Sequence, residues 1–417
     1  MPAWSSTVSR RLVIGAVALL PLLAACTAPQ RGVDLSVLDV GPHSRVPLDV
    51  PANDDPRYGR IIESVRMGEA IADPADADPA LVYDNGVFSI RALPEPADAV
   101  SVLADAVRPV LERHGMVAGF MVGATDTETE DAVLPGQARV LTVVLLRFPD
   151  DEAARAAATE IDAADAAVSA DNTPVTLATR PLARAHWRPG IPSLAATEAL
   201  GPFVVSVLVG HTAPDIEAMT GLADSALTAQ RLTLTGFEPT PLSQIPTLPL
   251  DTDGMLRRTV PTVPGEWPYP SVEVLDNGPN ADWDDGAAFE GVVLGERATY
   301  FWRGRGGPDK DTTIDRLTSG DLTSVWRFRD RELARTGFGN AADALRADQR
   351  RTPVDGPAGV PDAACGDLTE ITNVYQEATR VYCVVRHDRY MAAIFGRTAD
   401  EARQRAAAQY ALLVVTE

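Results

Sequence analysis

The chain has 417 residues, with 58 acidic against 37 basic side chains, a formal charge of −21 and 45 % apolar content. That apolar share excludes a disordered or fibrous chain, and the length predicts two or three domains. The acidic balance excludes a polyanion-binding surface, because the whole molecule would repel DNA, RNA or anionic headgroups; nucleic acid is not an expected partner.

Arg10 and Arg11 precede an apolar run from Leu12 that closes on Leu23, Ala24, Ala25 and Cys26. A charged start, an apolar stretch too short to span a bilayer, and small residues just before a cysteine are the parts of a lipoprotein signal peptide. Residues 1–25 are therefore expected to be removed, with Cys26 as the lipidated N-terminus and an extracytoplasmic, membrane-anchored location. Each buried acyl methylene of such an anchor contributes about 0.8 kcal/mol. The leader carries two arginines and no acid, so its loss moves the formal charge from −21 to −23. The paired arginines leave Sec and Tat export both open.

Residues 26–57 are polar and carry scattered prolines, and are expected to form a tether. An N-terminal domain is expected over residues 58–238. In it the turn signal Asn85 and Gly86 leads to a strand over 87–91, and Asp98 to a helix stopped by Gly115. The β-branched run from Leu141 to Phe148 predicts a strand that switches at Pro149 and Asp150 into an alanine-rich helix. Phe203 to Val209 repeats the pattern, leading through Gly210 into a helix carrying Ile216, Met219, Leu222 and Leu227.

Eight prolines between Pro239 and Pro270 forbid regular helix, so residues 239–285 are expected to link the two halves. The C-terminal domain, 286–417, is expected to hold strands over 297–303, 323–328, 380–385 and 390–395 and a last helix from about Asp400. The halves look duplicated. Arg147, Phe148, Asp150, Glu152, Ala154 and Arg155 recur 180 residues on as Arg327, Phe328, Asp330, Glu332, Ala334 and Arg335. Gly210, Thr212 and Ala213 recur 186 residues on as Gly396, Thr398 and Ala399, and the spacings Thr212 to Asp215 and Thr398 to Glu401 fit helix capping boxes. The expected fold is α+β: two related domains, each a mostly antiparallel sheet with helices packed on one face.

With Cys26 given to lipid, Cys365 and Cys383 are expected to form a disulfide in an oxidising compartment. No nucleophile elbow, P-loop, zinc-protease helix or dinucleotide fingerprint is present, and no two of the five histidines stand at a metal-ligand spacing. No cofactor is expected. His186 and Trp187, between Arg184 and Arg188, suggest a small cationic, aromatic binding spot. Trp267 and Tyr269, set among prolines, suggest an exposed wall of an interdomain groove, where a ligand is expected. The stretch holding Asp282 and Asp284 concentrates hard oxygen donors but misses the EF-hand spacing, so it reads as an acidic loop before a metal site.

The lipobox, the stretch with Leu38, Asp39, Gly41 and Pro42, the pair Arg66 and Met67, and Cys365 and Cys383 leading to Arg389, Tyr390 and the helix with Ala407, Ala408, Gln409 and Tyr410 together resemble a family of lipoproteins of unknown function from mycolate-bearing actinobacteria. The resemblance implies a cell-envelope lipoprotein with two similar domains and supplies no catalytic residue. The C-terminal half is also similar to the extracellular sensor-like domains of envelope kinases, which would imply ligand sensing. The expected role is a non-enzymatic module binding a small molecule, lipid or envelope protein. The alternatives are an envelope hydrolase using paired carboxylates and a protein-binding scaffold.

Overall fold

A computed structural model describes residues 33–85, 89–129, 133–274, 287–304, 313–320 and 322–416. The signal peptide, Cys26 and the acidic stretch with Asp282 and Asp284 lie outside the described residues.

The N-terminal half begins with helices α1 (Pro56–Met67) and α2 (Pro74–Ala77). Each starts with Pro at its first position behind an Asp N-cap, where the missing N–H costs nothing. Strands β1 (Tyr83–Asp84), β2 (Ile90–Ala92), β3 (Ala118–Thr125), β4 (Val140–Arg147), β5 (Thr173–Val175), β6 (Arg184–Trp187), β7 (Ser193–Leu200) and β8 (Phe203–Gly210) form one antiparallel sheet in the order β1-β3-β4-β8-β7-β6-β5, with β2 also on β3. Between β2 and β3 the expected single helix is broken into α3 (Pro96–Ala99), a 3-10 turn at Asp105–Val107 and α4 (Arg108–Arg113). The break falls at Ala104, whose backbone is extended, and Pro109 sits in the first turn of the restarted helix, where its missing N–H costs nothing. Helix α5 (Asp151–Ala166) follows β4, and α6 (Ile216–Thr233) follows β8, both as expected.

The linker holds 3-10 turns at Leu242–Thr247, Thr252–Gly254 and Leu256–Arg258 and the pair β9 (Ser271–Val274) and β10 (Ala287–Glu290). In the C-terminal half, β11 (Val292–Leu294), α7 (Glu296–Trp302), β12 (Ile314–Ser319), β13 (Thr323–Phe328), α8 (Arg331–Ala347), β14 (Arg351–Val354), β15 (Ala363–Leu368), α9 (Val374–Ala378), β16 (Val381–His387), β17 (Tyr390–Gly396) and α10 (Ala399–Val415) complete the chain. The sheet order is β11-β12-β13-β17-β16-β15-β14.

The two orders are the same path. β3-β4-β8-β7-β6-β5 maps onto β12-β13-β17-β16-β15-β14 strand for strand, with α5 matching α8 and α6 matching α10. The repeated signature does one structural job twice: Phe148 and Phe328 are buried, while Asp150 and Asp330 cap α5 and α8. The capping boxes divide. Thr398 accepts from Glu401 N–H at 3.2 Å while the Glu401 carboxylate accepts from Arg397 N–H at 3.1 Å. In the first copy Asp215 itself is the cap, taking the N–H groups of Glu217 and Ala218, and Thr212 does not serve.

The α+β class and the two related antiparallel-sheet domains are as expected; the helix layer is fuller. On β8, Val204 packs with α5, while Val205 and Val207, on the other side of the pleat, pack with α6. On β17, Met391 faces Ala334 of α8 and Ala392 faces Ala402 of α10. Both sheets therefore carry helices on both faces, which is why β4 and β8 read as nearly continuous apolar runs.

Two further expectations change. The segment 297–303 is helix: the aromatic run suggested a strand, but the Glu69 carboxylate accepts Arg297 N–H at 3.2 Å and Ala298 N–H at 2.9 Å and so caps α7 from outside. The described part of the expected tether is docked, with Leu38 and Val40 buried against Val260 and α10.

Candidate functional site

His186 sits on β6, 7 % exposed. Its Nδ1 lies 2.8 Å from Asp162 and its Nε2 3.6 Å from Asp165, both on α5. Burial alone would lower its pKa. The Asp162 hydrogen bond and the two carboxylate charges outweigh that and hold it above the ordinary imidazole value, while burial raises Asp165. The expected surface spot is thus an internal ion pair joining sheet to helix. Trp187, one residue on, packs at the edge of the core on the opposite side of the sheet.

Trp267 and Tyr269 also separate. Trp267 lines a cavity of about 20 Å³ with His43, Leu256 and Leu412, room for one water molecule. Its Nε1 and the His43 Nδ1 are buried with no hydrogen-bond partner among the described residues. Burial and the nearby Arg405 charge, partly offset by Glu401, depress the His43 pKa to about 4. Tyr269 is exposed along one edge and stacks on Tyr58 of α1 with ring centroids 5.1 Å apart.

The structure does place a groove between the halves, walled by other residues. A cavity of about 430 Å³ lies between Ile62, Val65 and Arg66 of α1, the Gly236–Glu238 turn after α6, Leu250 and Thr252 of the linker, Val292 and Val293 of β11, and Arg316 of β12. Its floor is part of a core that runs across both halves, from Val65 and Met67 to Leu294, Ala298 and Phe301. A neighbouring cavity of about 380 Å³ shares Glu69 and adds Asp73, Asp76, Glu296 and Arg297.

The groove is held in shape by two buried arginines from the duplicated signature. Arg147, at the end of β4, donates to the Glu63 carboxylate and to the Thr240 carbonyl. Glu63, fully buried on α1, also accepts from Thr240 Oγ1 at 2.7 Å, Thr240 N–H at 3.2 Å and Arg66 Nη1 at 2.5 Å. Arg327, its repeat partner, donates to Asp315 at 2.8 Å and to the linker's Asp253 at 3.2 Å. Arg316 donates to the same Asp253 oxygen at 2.8 Å. Each copy of the arginine therefore ties the linker to its own sheet, and the two ties bracket the groove. Arg66 also stands over the Phe237 ring at 5.5 Å, a cation–π contact. Sequence carried a trace of this in the repeat of Arg147 as Arg327 and in Arg66 beside Met67, but nothing in it paired those arginines with Glu63 or Asp253.

Of the two acids lining the groove, Glu69 has both oxygens engaged as the cap of α7, which leaves Glu238. Among the described residues no group of three or more His, Cys, Asp or Glu is arranged to hold a metal. Cys365 and Cys383, buried and directly opposite on β15 and β16, form the expected disulfide. No helix among the described residues is long and apolar enough to cross a membrane.

No curated protein matches this chain. Among solved structures it is similar to the extracellular domain of PknH from Mycobacterium tuberculosis, with 11 % identity and a TM-score of 0.26, over 40 % of this chain and 93 % of that one. Residues 50–250 match the family model described as the N-terminal domain of unknown function DUF7373, and residues 255–416 match the C-terminal one. The two matches meet within the linker and together take in most of the sequence, so the chain belongs to the DUF7373 family.

Proposed function

We propose that this protein is a cell-envelope lipoprotein, anchored through Cys26, whose interdomain groove binds a small amphiphilic molecule without transforming it. The observation that carries the reading is the groove itself: about 430 Å³, apolar on its floor, with Arg66 and Arg316 among its walls. Such a volume suits a small ligand with an apolar body and a polar head. The Cys365–Cys383 bridge supports an oxidising compartment, and the lipobox ending at Cys26 supports the anchor. A hydrolase would need two facing carboxylates with divergent pKa values. In the groove Glu69 is already committed to α7, which favours binding over catalysis.

The test is a titration with 8-anilinonaphthalene-1-sulfonate, an apolar ring system bearing an anionic head. Wild type is expected to show saturable fluorescence enhancement, and the groove-filling variant Thr252→Trp to lose at least tenfold in affinity at unchanged circular dichroism. Thr252 is exposed and the bulk would enter the cavity, not the core. Equal affinity in both proteins, or no saturable binding by wild type, contradicts the reading.

A further inference from the structure

Residues 33–46 form a strap on the C-terminal domain. Val33 and Leu35 pack at the edge, and Leu38 and Val40 inside, a cluster built from Val260 of the linker and Ala407, Ala411 and Leu412 of α10. Polar contacts fasten it. The Gln404 side-chain amide donates to both oxygens of Asp39 at 3.1 and 3.3 Å, and the same carboxylate accepts Gly41 N–H at 3.1 Å. Gly41 turns the chain at φ 53°, where a Cβ would run into Gln404. Arg45 donates back to the Leu38 carbonyl, closing the strap on itself, and His43 is buried beneath. The strap precedes the residues matched by the family models.

We propose that the strap is a membrane-docking device: it seats the C-terminal domain, through the cluster it forms with α10, against the lipid surface. Residues 26–32 are all that separate Cys26 from the first packed residue, Val33. A chain that short reaches at most about 25 Å, whereas a loose tether ending at residue 57 would reach on the order of 100 Å. The domain held by the strap is therefore the membrane-proximal one, and the anchor acts on α10 and not on the N-terminal sheet. The inference rests on Cys26 being the acylated residue.

The test uses the full-length protein, lipidated in its own host and reconstituted into phosphatidylcholine vesicles carrying an acceptor dye on the headgroups. A donor dye sits on Asp400→Cys, exposed at the start of α10. Strong energy transfer is expected with the native strap, with a fall of at least twofold when Leu38→Asp and Val40→Asp undock it. In the unsubstituted protein, amide exchange at residues 38–43 is expected to be slowed at least a hundredfold relative to free peptide; this readout needs no variant to fold. Equal transfer in both proteins, or strap amides exchanging at free-peptide rates, overturns the proposal. A protein that fails to float with vesicles and lacks an acyl mass on its N-terminal peptide overturns the anchor, and the proposal with it, and is recognised by those two signs.

Discussion

Two histidines titrate in opposite senses, and the signs follow from what surrounds them. His43 is buried near Arg405 and kept neutral, with its folded pKa depressed to about 4. The unfolded chain therefore binds the extra proton first, and stability falls as the pH drops from about 6.5 towards about 4. His186 lies between two carboxylates, and its folded pKa is raised. Its contribution is fully present below about 6.5 and is lost as the pH rises through the raised value. Urea unfolding at pH 5, 6.5 and 8 checks both: His43→Gln is expected to lose sensitivity on the acid side, His186→Gln on the alkaline side. The buried Arg147–Glu63 pair is a matter of geometry. Arg147→Met leaves the Glu63 carboxylate fully buried with Thr240 and Arg66 as its remaining partners, which is expected to cost about 3–5 kcal/mol by urea unfolding. A loss below about 1 kcal/mol would show that the pair does not hold the groove.

At the scale of elements, the disulfide bridges neighbouring strands β15 and β16 across a separation of 18 residues. Reduction, or Cys383→Ala with Cys365→Ala, is expected to lower stability by about 3 kcal/mol on the chain-entropy model, measured by denaturant midpoint. Helix α7 gives a second case. Glu69→Ala removes the acceptor for two N–H groups that start it, and a loss of about 1–2 kcal/mol is expected, with faster amide exchange confined to residues 296–302. The same helix shows where sequence stopped being legible. Tyr300, Phe301 and Trp302 carry strand propensity, and the group that makes them helical is a carboxylate 228 residues away in sequence. Strands β4 and β8 and helices α5, α6 and α10 were legible because pattern, cap and length agreed locally. The helix expected from Asp98 to Gly115 was not, since its apolar spacing survives in Val107, Val110 and Leu111 while the backbone turns extended at Ala104.

At the scale of the whole molecule, duplication explains the architecture and leaves the groove as the new feature. Two copies of one strand order are joined by a proline-rich linker that cannot form a helix or a long strand, so it lies in 3-10 turns, the first of them against α1. Its close approach depends on Gly59, where a Cβ would collide with the Ile245 carbonyl. The repeated arginines, read from sequence only as a mark of duplication, act as clamps on this linker. The groove was expected between the halves, but Trp267 and Tyr269, chosen for aromaticity, lie elsewhere: one beside a cavity for a single water, the other stacked on Tyr58. What walls the groove is α1, which begins where a tether was expected to end. Such long-range pairings leave no periodic trace in one chain.

Native mass spectrometry of the mature protein lacking Cys26, purified intact from its own host, tests groove occupancy most directly. A small co-purifying mass, lost in Thr252→Trp, is the predicted result. A bare, disulfide-bonded chain in both proteins would contradict a ligand-binding groove and leave the face between the halves as a site for another protein.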